Sequence, residues 1–339
     1  MRKLNTMLAG VLGSVIIAAA GQSVGAQDSW VEMQGKEGPG HGKHIVFVTG
    51  DEEYRSEESM PQLAKILALH HGFRCTVLFA VDRNDGTINP EQVDNIPGLE
   101  ALQTADLMVI FTRFRELPDE QTKYIADYVH SGKPIIGLRT ATHAFFYKKN
   151  KDSIYAKYSF DNKNADFAGG FGRQVLGETW INHYGQHQKE STRGLIAEGM
   201  EDHPIVRGCS GIWGPSDVYG ITALSGDGKP LVMGQVLKGM NSNDEPNPEK
   251  KLVPVAWLKT YTGEKGKTTQ IFATTMGHAG DLQSEGFRRL LVNACYWSLG
   301  MEKEIKADSN VSLVGEYNPN PIGFGGHKKG LKPSLYKLP

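Results

Sequence analysis

The chain has 339 residues, of which 39% are hydrophobic and 22% are charged, a composition typical of an ordinary globular protein. Its formal net charge of -1 at pH 7 provides no bulk electrostatic attraction to nucleic acid or to an acidic membrane surface. We therefore expect neither of these as a partner.

The first 26 residues have the three parts of a secretory signal peptide. Arg2 and Lys3 precede an apolar run over residues 7–20, and a site of small residues ends at Ala26. A retained membrane anchor is the alternative, but about 14 apolar residues are fewer than the roughly 20 that span a bilayer. We predict an exported protein, periplasmic or secreted, with no membrane span after cleavage.

The three cysteines, Cys75, Cys209 and Cys295, are an odd number for an oxidising compartment. Cys75 and Cys295 lie in apolar stretches, where a free cysteine usually behaves as a small buried hydrophobic residue. The sequence therefore indicates neither a disulfide framework nor a catalytic cysteine.

After a polar, glycine-rich linker over residues 27–43, apolar strands alternate with amphipathic helices. In chain order the predicted elements are strand 44–50, helix 60–72, strand 75–81, strand 106–112, helix 118–132 and strand 134–139. These strands are apolar on both faces, which is typical of a parallel sheet that helices cover on both sides. We therefore predict an α/β fold with a mainly parallel, doubly wound sheet.

The second half of the chain is less regular. Residues 147–166 are polar and rich in lysine, and we expect a connection of this length to be a lid beside the site. Short strands are predicted at 193–198, 217–222, 231–237, 253–261 and 269–277, followed by an amphipathic helix at 284–300. We expect one domain over residues 44–300 and an irregular C-terminal extension over 301–339, either packed onto the body or disordered.

A corner of strand, sharp turn and helix is predicted at residues 133–145. In several α/β enzymes such a corner carries the nucleophile, because the turn lifts one side chain above the edge of the sheet. Here the corner offers Arg139, Thr140, Thr142 and His143, and neither a cysteine nor a serine. Chemistry at this corner would have to proceed without a nucleophile of that kind.

An ordered set of motifs resembles the trehalose-utilisation (ThuA-like) family, in particular exported members found beside polysaccharide-degrading systems. The motifs are VTGDEEYRSEE, GLRTATHAF, DHPIVRG, SDVYG, PVAWLKTY, TTMGHAGD and FRRLLVNACYWSLG, spread over residues 43–300. The resemblance implies a fold similar to class I glutamine amidotransferases, a flavodoxin-like three-layer sandwich, with Arg139 where the nucleophile would stand. It also implies a small carbohydrate as the ligand.

Polar side chains follow several of the predicted strands. In an open α/β sheet, ligands bind beyond the carboxyl ends of the strands, so segments 51–55, 112–115, 139–143 and 277–281 are expected to converge there. Carboxylates and guanidinium groups suit the hydroxyls of a polyol, and histidine moves protons near neutral pH. We assign catalytic roles to Glu53, Arg139, His143 and His278, and substrate contacts to Arg55, Arg113, Thr140, Asp217, Tyr219 and Asp281.

These assignments have structural alternatives. Glu53 and Arg55 lie where a helix N-terminus carries solvated charges, and His143 lies where a helical histidine finds a hydrogen-bond partner. If Arg139 is functional, its guanidinium fixes a substrate oxygen, and its loss leaves stability nearly unchanged. If it is structural, it pairs with a carboxylate such as Glu53 or Asp51, and its loss lowers stability.

The motif HYGQH places His183 and His187 at positions i and i+4, which on a helix would face one way as zinc ligands do. Glu178 and His143 can complete such a set. Gly185 interrupts the spacing, however, and no glutamate base lies between the histidines. Related sequences often carry histidines in the first-strand loop and at the elbow, where this chain has Ser56 and Arg139. We expect no cofactor and keep a divalent metal at His183 and His187 as the alternative.

Two classes of function remain. The first is an exported enzyme, a hydrolase, lyase or isomerase, that acts on a sugar or keto-sugar derivative by acid–base chemistry without a Cys or Ser nucleophile. The second is a non-catalytic carbohydrate-binding protein on the same scaffold. Two polar groups within reach of one reacting atom would favour the enzyme, whereas a shallow groove lined by parallel aromatic rings would favour the binding protein.

Overall fold

The computed structural model of the chain describes residues 29–221 and 223–339. The predicted signal peptide lies outside the described residues. None of the described helices has both the length and the apolar character needed to cross a membrane.

Within the described residues, ten strands form one sheet in the order β1-β3-β2-β4-β5-β10-β9-β8-β6-β7. The strands are β1 Trp30–Gln34, β2 His44–Gly50, β3 Arg74–Leu78, β4 Leu107–Thr112, β5 Ile135–Leu138, β6 Thr192–Ile196, β7 Trp213–Gly214, β8 Lys229–Val236, β9 Val253–Thr262 and β10 Thr268–Thr274. The helices are α1 Ser56–His71, α2 Asp119–Val129 and α3 Glu285–Ser298.

The sheet is mixed. The five strands β3, β2, β4, β5 and β10 run parallel. The edge strand β1 and the strands β9, β8, β6 and β7 join with antiparallel pairing. The short connection between β9 and β10 forces an antiparallel pair, since parallel neighbours need a long crossover. The prediction of a mainly parallel sheet is therefore correct for the central strands and wrong for the second half.

The two faces of the central strands pack into two separate hydrophobic cores. Ile45 and Phe47 of β2 pack into a core that includes α1 and α3. Their neighbours Val46 and Val48 point to the opposite face and pack into a second core that includes α2. Because successive side chains of a strand alternate between faces, a strand buried on both sides is apolar throughout.

Strand β1 lies in the segment that the sequence predicted as a linker. Val31 and Met33 are buried, whereas Glu32 and Gln34 are exposed, and the strand pairs with β3. An alternating pattern over only five residues is a weak signal beside the long apolar runs of the central strands. The segment predicted as a strand at 217–222 also differs, since its described part forms only an isolated bridge between Tyr219 and His183.

Helix α1 begins at Ser56, earlier than predicted, and ends at His71, with Gly72 as its C-cap. The Asp51 carboxylate accepts the backbone N–H groups of Glu53 and Tyr54, which folds the loop between β2 and the helix. At the other end, Gly72 has φ 79 and donates its backbone N–H to Ala68, a left-handed C-terminal cap that glycine adopts without strain.

The excursion at residues 147–166 is anchored to the body. Tyr147 and Tyr158 are buried, and the Tyr147 hydroxyl lies 2.8 Å from that of Thr122 in α2. The backbone N–H groups of Lys149 and Asn150 donate to a single carboxylate oxygen of Glu116. Closure of this segment over a ligand stays a prediction.

The C-terminal extension, residues 301–339, contains no strand or α-helix and packs onto the body. Val311 and Val314 are buried in the core that contains α1 and α3. The ring of Tyr336 stacks on Phe79 with the ring centroids 5.6 Å apart. The extension therefore forms part of the folded unit.

The three cysteines are free thiols. Cys75 and Cys295 are buried, and burial raises the pKa of the Cys209 thiol to about 12. A protonated thiol is a poor nucleophile, and the absence of a catalytic cysteine stays a prediction.

Candidate functional site

The strained backbone of the described chain is concentrated at one edge of the sheet. Its non-glycine residues with positive φ are Arg55 (63°), Phe114 (51°), Arg139 (46°) and Gln188 (59°). The first three follow the carboxyl ends of β2, β4 and β5, and the fourth follows His187. Such conformations are uncommon for residues with a side chain and often mark functional sites.

The predicted elbow is present at this edge. Strand β5 ends at Leu138, and a 3-10 turn over Arg139–His143 follows in place of the predicted helix. Thr140, predicted to contact substrate, has a structural role in this turn, because its hydroxyl donates to the Asp51 carboxylate. The elbow is thereby tied to the loop that carries Glu53.

The guanidinium group of Arg139 is fully buried. It lies over the rings of Tyr54 and Tyr219, at 4.1 and 4.5 Å from the ring centroids. It donates to the Asp217 carboxylate at 3.1 Å and to the backbone carbonyl of Thr275 at 2.8 Å. The geometry favours the pairing alternative, with Asp217 as the carboxylate, and makes Arg139 a positioning residue.

Asp217 connects the buried and the accessible parts of the site. Its Oδ2 accepts a hydrogen bond from His183 Nδ1 at 2.6 Å, and its Oδ1 accepts one from His187 Nδ1 at 3.0 Å. Burial alone would raise the pKa of Asp217, but the two histidines and the Arg139 charge hold it well below its usual range. Asp217 is therefore a carboxylate at neutral pH.

His187 bridges two carboxylates. Its Nδ1 contacts Asp217, and its Nε2 lies 3.3 Å from an oxygen of Glu53. Hydrogen bonds to Asp217 and then to Glu53 raise the pKa of His187 to about 9. The side chain is 29% exposed and carries a positive charge at neutral pH.

His183 is oriented by a buried carboxylate and is open to solvent. Its side chain is 34% exposed, and its ring lies 6.0 Å from Trp180 and 4.8 Å from His187. Because the bond to Asp217 uses Nδ1, Nε2 is left for a ligand. A histidine held in this way by a buried carboxylate is a common acid–base arrangement.

Glu53, which is buried, and Arg113, which is partly buried, lie beside His187 and complete the site. The Arg113 guanidinium lies 3.4 Å from Glu53 and also pairs with Glu52. Burial would raise the pKa of Glu53, but the hydrogen bond from His187 and the Arg113 charge lower it. Hereafter the floor means Tyr54, Arg139, Asp217 and Tyr219, and the rim means Glu53, Arg113, His183 and His187.

A group of aromatic rings borders the rim, and we call it the aromatic wall: Phe114, Phe146, Phe160 and Trp180, each partly exposed. The ring centroids of Phe114 and Phe160 are 5.0 Å apart, and those of Phe160 and Trp180 are 6.3 Å apart. Aromatic faces of this kind suit the C–H face of a sugar ring.

His143 lies under the aromatic wall and is buried. Its ring centroid is 5.0 Å from that of Phe114 and 5.5 Å from that of Trp180, and its Nδ1 lies 3.0 Å from the Thr142 hydroxyl. Burial, together with the charges of Arg113 and Arg139, holds the pKa of His143 well below its usual range. The imidazole is therefore neutral, and the geometry favours the structural alternative.

His278 and Asp281 lie at the same edge but inside the fold. Burial lowers the pKa of His278 to about 3, and its Nδ1 accepts the backbone N–H of Gly280 at 3.1 Å. Burial raises the pKa of Asp281 to about 6, and its carboxylate accepts hydrogen bonds from Gly277 and Ser216. Both residues shape the loop after β10 and do not belong to the rim.

Arg55, predicted to bind substrate, instead holds the C-terminal extension. The side chain is buried and donates to the backbone carbonyls of Glu52 and Gly323. The predicted contact with a ligand therefore has no support in the geometry.

The predicted metal ligands converge, but with a different third partner. Donor atoms of His183, His187 and Asp217 lie within 4.8 Å of one another, whereas Glu178 is buried in a pair with Arg173. The two histidines lie on a loop, not on a helix, and converge because the backbone of His183 bridges to Tyr219. Asp217 was not predicted as a metal ligand, although its place in the SDVYG motif indicated a residue at the pocket.

The aromatic wall was not predicted either. Phe114 lies two residues after the end of β4, which is a usable signal, but Phe160 and Trp180 lie in irregular chain without any periodic pattern. Only the tertiary packing of these irregular segments brings their rings to the site.

Comparison with known proteins agrees with the motifs. The family model described as "ThuA: Trehalose utilisation" matches residues 44–298. A ThuA-like protein from Parabacteroides merdae is similar at 14% identity, with 84% of this chain and 96% of that chain covered and a TM-score of 0.47. A ThuA-like protein from Bacteroides uniformis has 15% identity, covers 80% and 96%, and gives a TM-score of 0.45. A search of curated proteins found no match. The chain belongs to the ThuA family of trehalose utilisation.

Proposed function

We propose that this ThuA protein is an enzyme that transfers a proton on a sugar or keto-sugar derivative, with His183 as the acid–base group. One observation carries the proposal. The His183 imidazole is fixed through Nδ1 to a buried carboxylate, Asp217, while a third of its side chain remains exposed beside the aromatic wall. This is the arrangement that a general base needs, because its orientation is fixed and one nitrogen is left for the ligand.

The rim also offers a positive charge beside the base. His187 is held as an imidazolium by Asp217 and Glu53, and its ring centroid lies 4.8 Å from that of His183. A carbonyl oxygen of a keto-sugar gains negative charge when a proton leaves the neighbouring carbon, and a fixed cation stabilises that charge. In an isomerase reaction, the proton returns to the former carbonyl carbon while the hydroxyl on the deprotonated carbon becomes the new carbonyl. In a lyase reaction, the C–O bond on the next carbon breaks, a C=C bond forms, and the leaving oxygen takes the proton from His183.

The aromatic wall and Arg113 supply the binding part of the proposal. A sugar ring stacked on Phe160 or Trp180 would place its hydroxyls toward the rim, where guanidinium groups donate and carboxylates accept hydrogen bonds. The absence of Cys and Ser from residues 139–143 favours chemistry without a covalent intermediate on those side chains. We also propose that the fold is related to that of class I glutamine amidotransferases, as the family resemblance implies.

The test is proton exchange in heavy water. The protein would be incubated with mono-, di- and keto-sugars, and NMR would follow deuterium entering the carbon beside the carbonyl. We expect exchange with the wild type and its loss in His183→Asn, while His41→Asn, an exposed histidine in the turn before β2, is unaffected. Binding of sugars without exchange or product would leave the carbohydrate-binding alternative.

A divalent metal is a second candidate, favoured by the convergence of His183, His187 and Asp217. Two histidines and a carboxylate suit a transition metal, and Glu53 would support His187 from outside the set. The Arg139 guanidinium 3.1 Å from Asp217 already compensates that carboxylate, which favours the proton-transfer proposal. Activity that survives a chelator supports proton transfer, whereas activity lost to the chelator and restored by one metal supports the metal.

We also propose that the protein is exported and cleaved after Ala26. The charged start, the apolar run and the small-residue site of the sequence support this. Intact mass and N-terminal sequencing of protein from separated cell fractions would test it. A mature protein that retains residues 1–26 in the membrane fraction would favour the anchor.

A further inference from the structure

The C-terminal extension reaches the rim of the site. We call residues 319–324 the strap. The backbone N–H of Gly323 donates to the Glu53 carbonyl at 3.0 Å, and the Arg55 side chain donates to the Gly323 carbonyl. The backbone N–H of Asn320 donates to the Glu58 carboxylate at 2.9 Å. The strap is thus fixed to the loop and the helix that follow β2.

The family model ends at residue 298, so the strap lies outside the matched region. A segment that is hydrogen-bonded to the backbone of Glu53 is well placed to contact whatever binds at the rim.

The last strap residue continues the aromatic surface of the site. Phe324 is 65% exposed, and the Arg113 guanidinium carbon lies 5.1 Å from its ring centroid. The same carbon lies 4.4 Å from the ring centroid of Phe114 in the aromatic wall. Arg113 is thus placed between two phenyl rings, and it also pairs with Glu53.

The charges around this surface are balanced. Arg113 pairs with Glu52 and Glu53, and Arg115 pairs with Glu52. A charged ligand would have to displace these pairs, whereas hydroxyl groups can share their donors and acceptors. The chemistry therefore suits a neutral polyol lying along the two aromatic surfaces.

We infer that Phe324 forms a second saccharide subsite, in which it stacks on the neighbouring unit of a disaccharide or longer ligand whose reacting unit lies on the aromatic wall. The inference rests on the proposed function, because it places the first unit there. Arg113, between the two surfaces, would hydrogen-bond across the linkage. Phe324 is then a residue that determines the preferred ligand length.

The test compares Phe324→Ala with Leu335→Ala. Leu335 lies in the same extension and is also 65% exposed, so it is a matched control. Calorimetry would measure the affinity of each protein for a disaccharide and for the corresponding monosaccharide. We expect Phe324→Ala to weaken disaccharide binding roughly threefold to tenfold and to leave monosaccharide binding unchanged. We expect Phe324→Trp to retain the preference and Leu335→Ala to have no effect.

Three other results would have separate meanings. Equal weakening of both ligands would show that Phe324 acts only by supporting Arg113, and would overturn the subsite. Unchanged disaccharide binding in Phe324→Ala would overturn the subsite and leave the proposed function standing. A wild type that binds neither ligand would overturn both. Melting temperatures of all variants would show that each protein is folded.

Discussion

The floor and the rim of the site satisfy their charges in different ways. In the floor, Arg139 is fully buried between two tyrosine rings and pairs with Asp217. In the rim, His183 and His187 keep about a third of their side chains exposed while they share the same carboxylate. Asp217 thus serves both groups, as a counter-ion for the floor and as an orienting group for the rim.

The difference separates the residues that we propose for chemistry from the residues that hold the site together. A buried pair loses much stability when one partner is removed, because the other charge is left uncompensated. An exposed histidine contributes less to stability and can exchange protons with a ligand. Changes in the floor are therefore expected to unfold the protein, and changes in the rim to inactivate it.

The largest expected effect is that of Arg139→Ala. Removal of the guanidinium leaves Asp217 short of a buried partner, so the free energy of unfolding should fall by about 3–5 kcal/mol. Arg139→Lys should not restore it, because lysine lacks the planar fork that reaches several acceptors. Urea unfolding would measure both, with Arg74→Ala in the exposed pair with Glu32 as the control. If Arg139→Ala keeps its stability but loses its activity, the result would contradict the positioning role and indicate that Arg139 contacts the substrate.

A rim substitution should have the opposite pattern. His183→Asn is expected to lower kcat by roughly a hundredfold or more, the contribution of a general acid or base. The free energy of unfolding should change far less than in Arg139→Ala, since the side chain is 34% exposed. Steady-state kinetics and urea unfolding on the same preparations would measure the two effects. A variant that unfolds without losing activity per folded molecule would contradict the division between floor and rim.

The charge of His187 predicts a pH dependence of stability. Its pKa is raised from 6.5 to about 9, so its stabilising contribution is complete below pH 6.5 and is lost as the pH rises to about 9. Unfolding would be measured at about pH 6 and about pH 9.5, in the presence of a chelator, for the wild type and His187→Asn. We expect a smaller fall in stability between these pH values in the variant. An equal fall in stability for the wild type and the variant would show that Asp217 and Glu53 do not stabilise the protonated form of His187.

The smallest expected effect concerns residues 147–166. Because Tyr147 and Tyr158 anchor the segment, we expect a saturating sugar to slow trypsin cleavage at its exposed lysines only modestly. Lys148, Lys149, Lys151 and Lys163 are the exposed cleavage sites. If the sugar leaves the cleavage rate unchanged, residues 147–166 are not a lid. If the sugar protects the segment strongly, the segment closes over the ligand by a larger movement than its anchoring suggests.

The central part of the fold was predictable from the sequence. Strands β2, β4 and β5 are continuous apolar runs, and glycine follows α1 where it ends. These signals are local, since they depend only on the neighbours of each residue and on the period of the element. The order of the motifs along the chain also indicated the family, which the match over residues 44–298 confirms.

The site itself was decided by the tertiary structure. His183 and His187 lie 34 and 30 residues from Asp217 along the chain, and Arg139 lies 78 residues from it. Nothing local indicates that these groups share one carboxylate, because loops from the antiparallel half of the sheet must first fold over the ends of the parallel strands. Burial is equally a property of the whole fold, and it made Arg139 a fixed part of the floor while His183 remained open to a ligand. The sequence by itself determined which residue types reach the edge of the sheet, and long-range packing decided which of them meet.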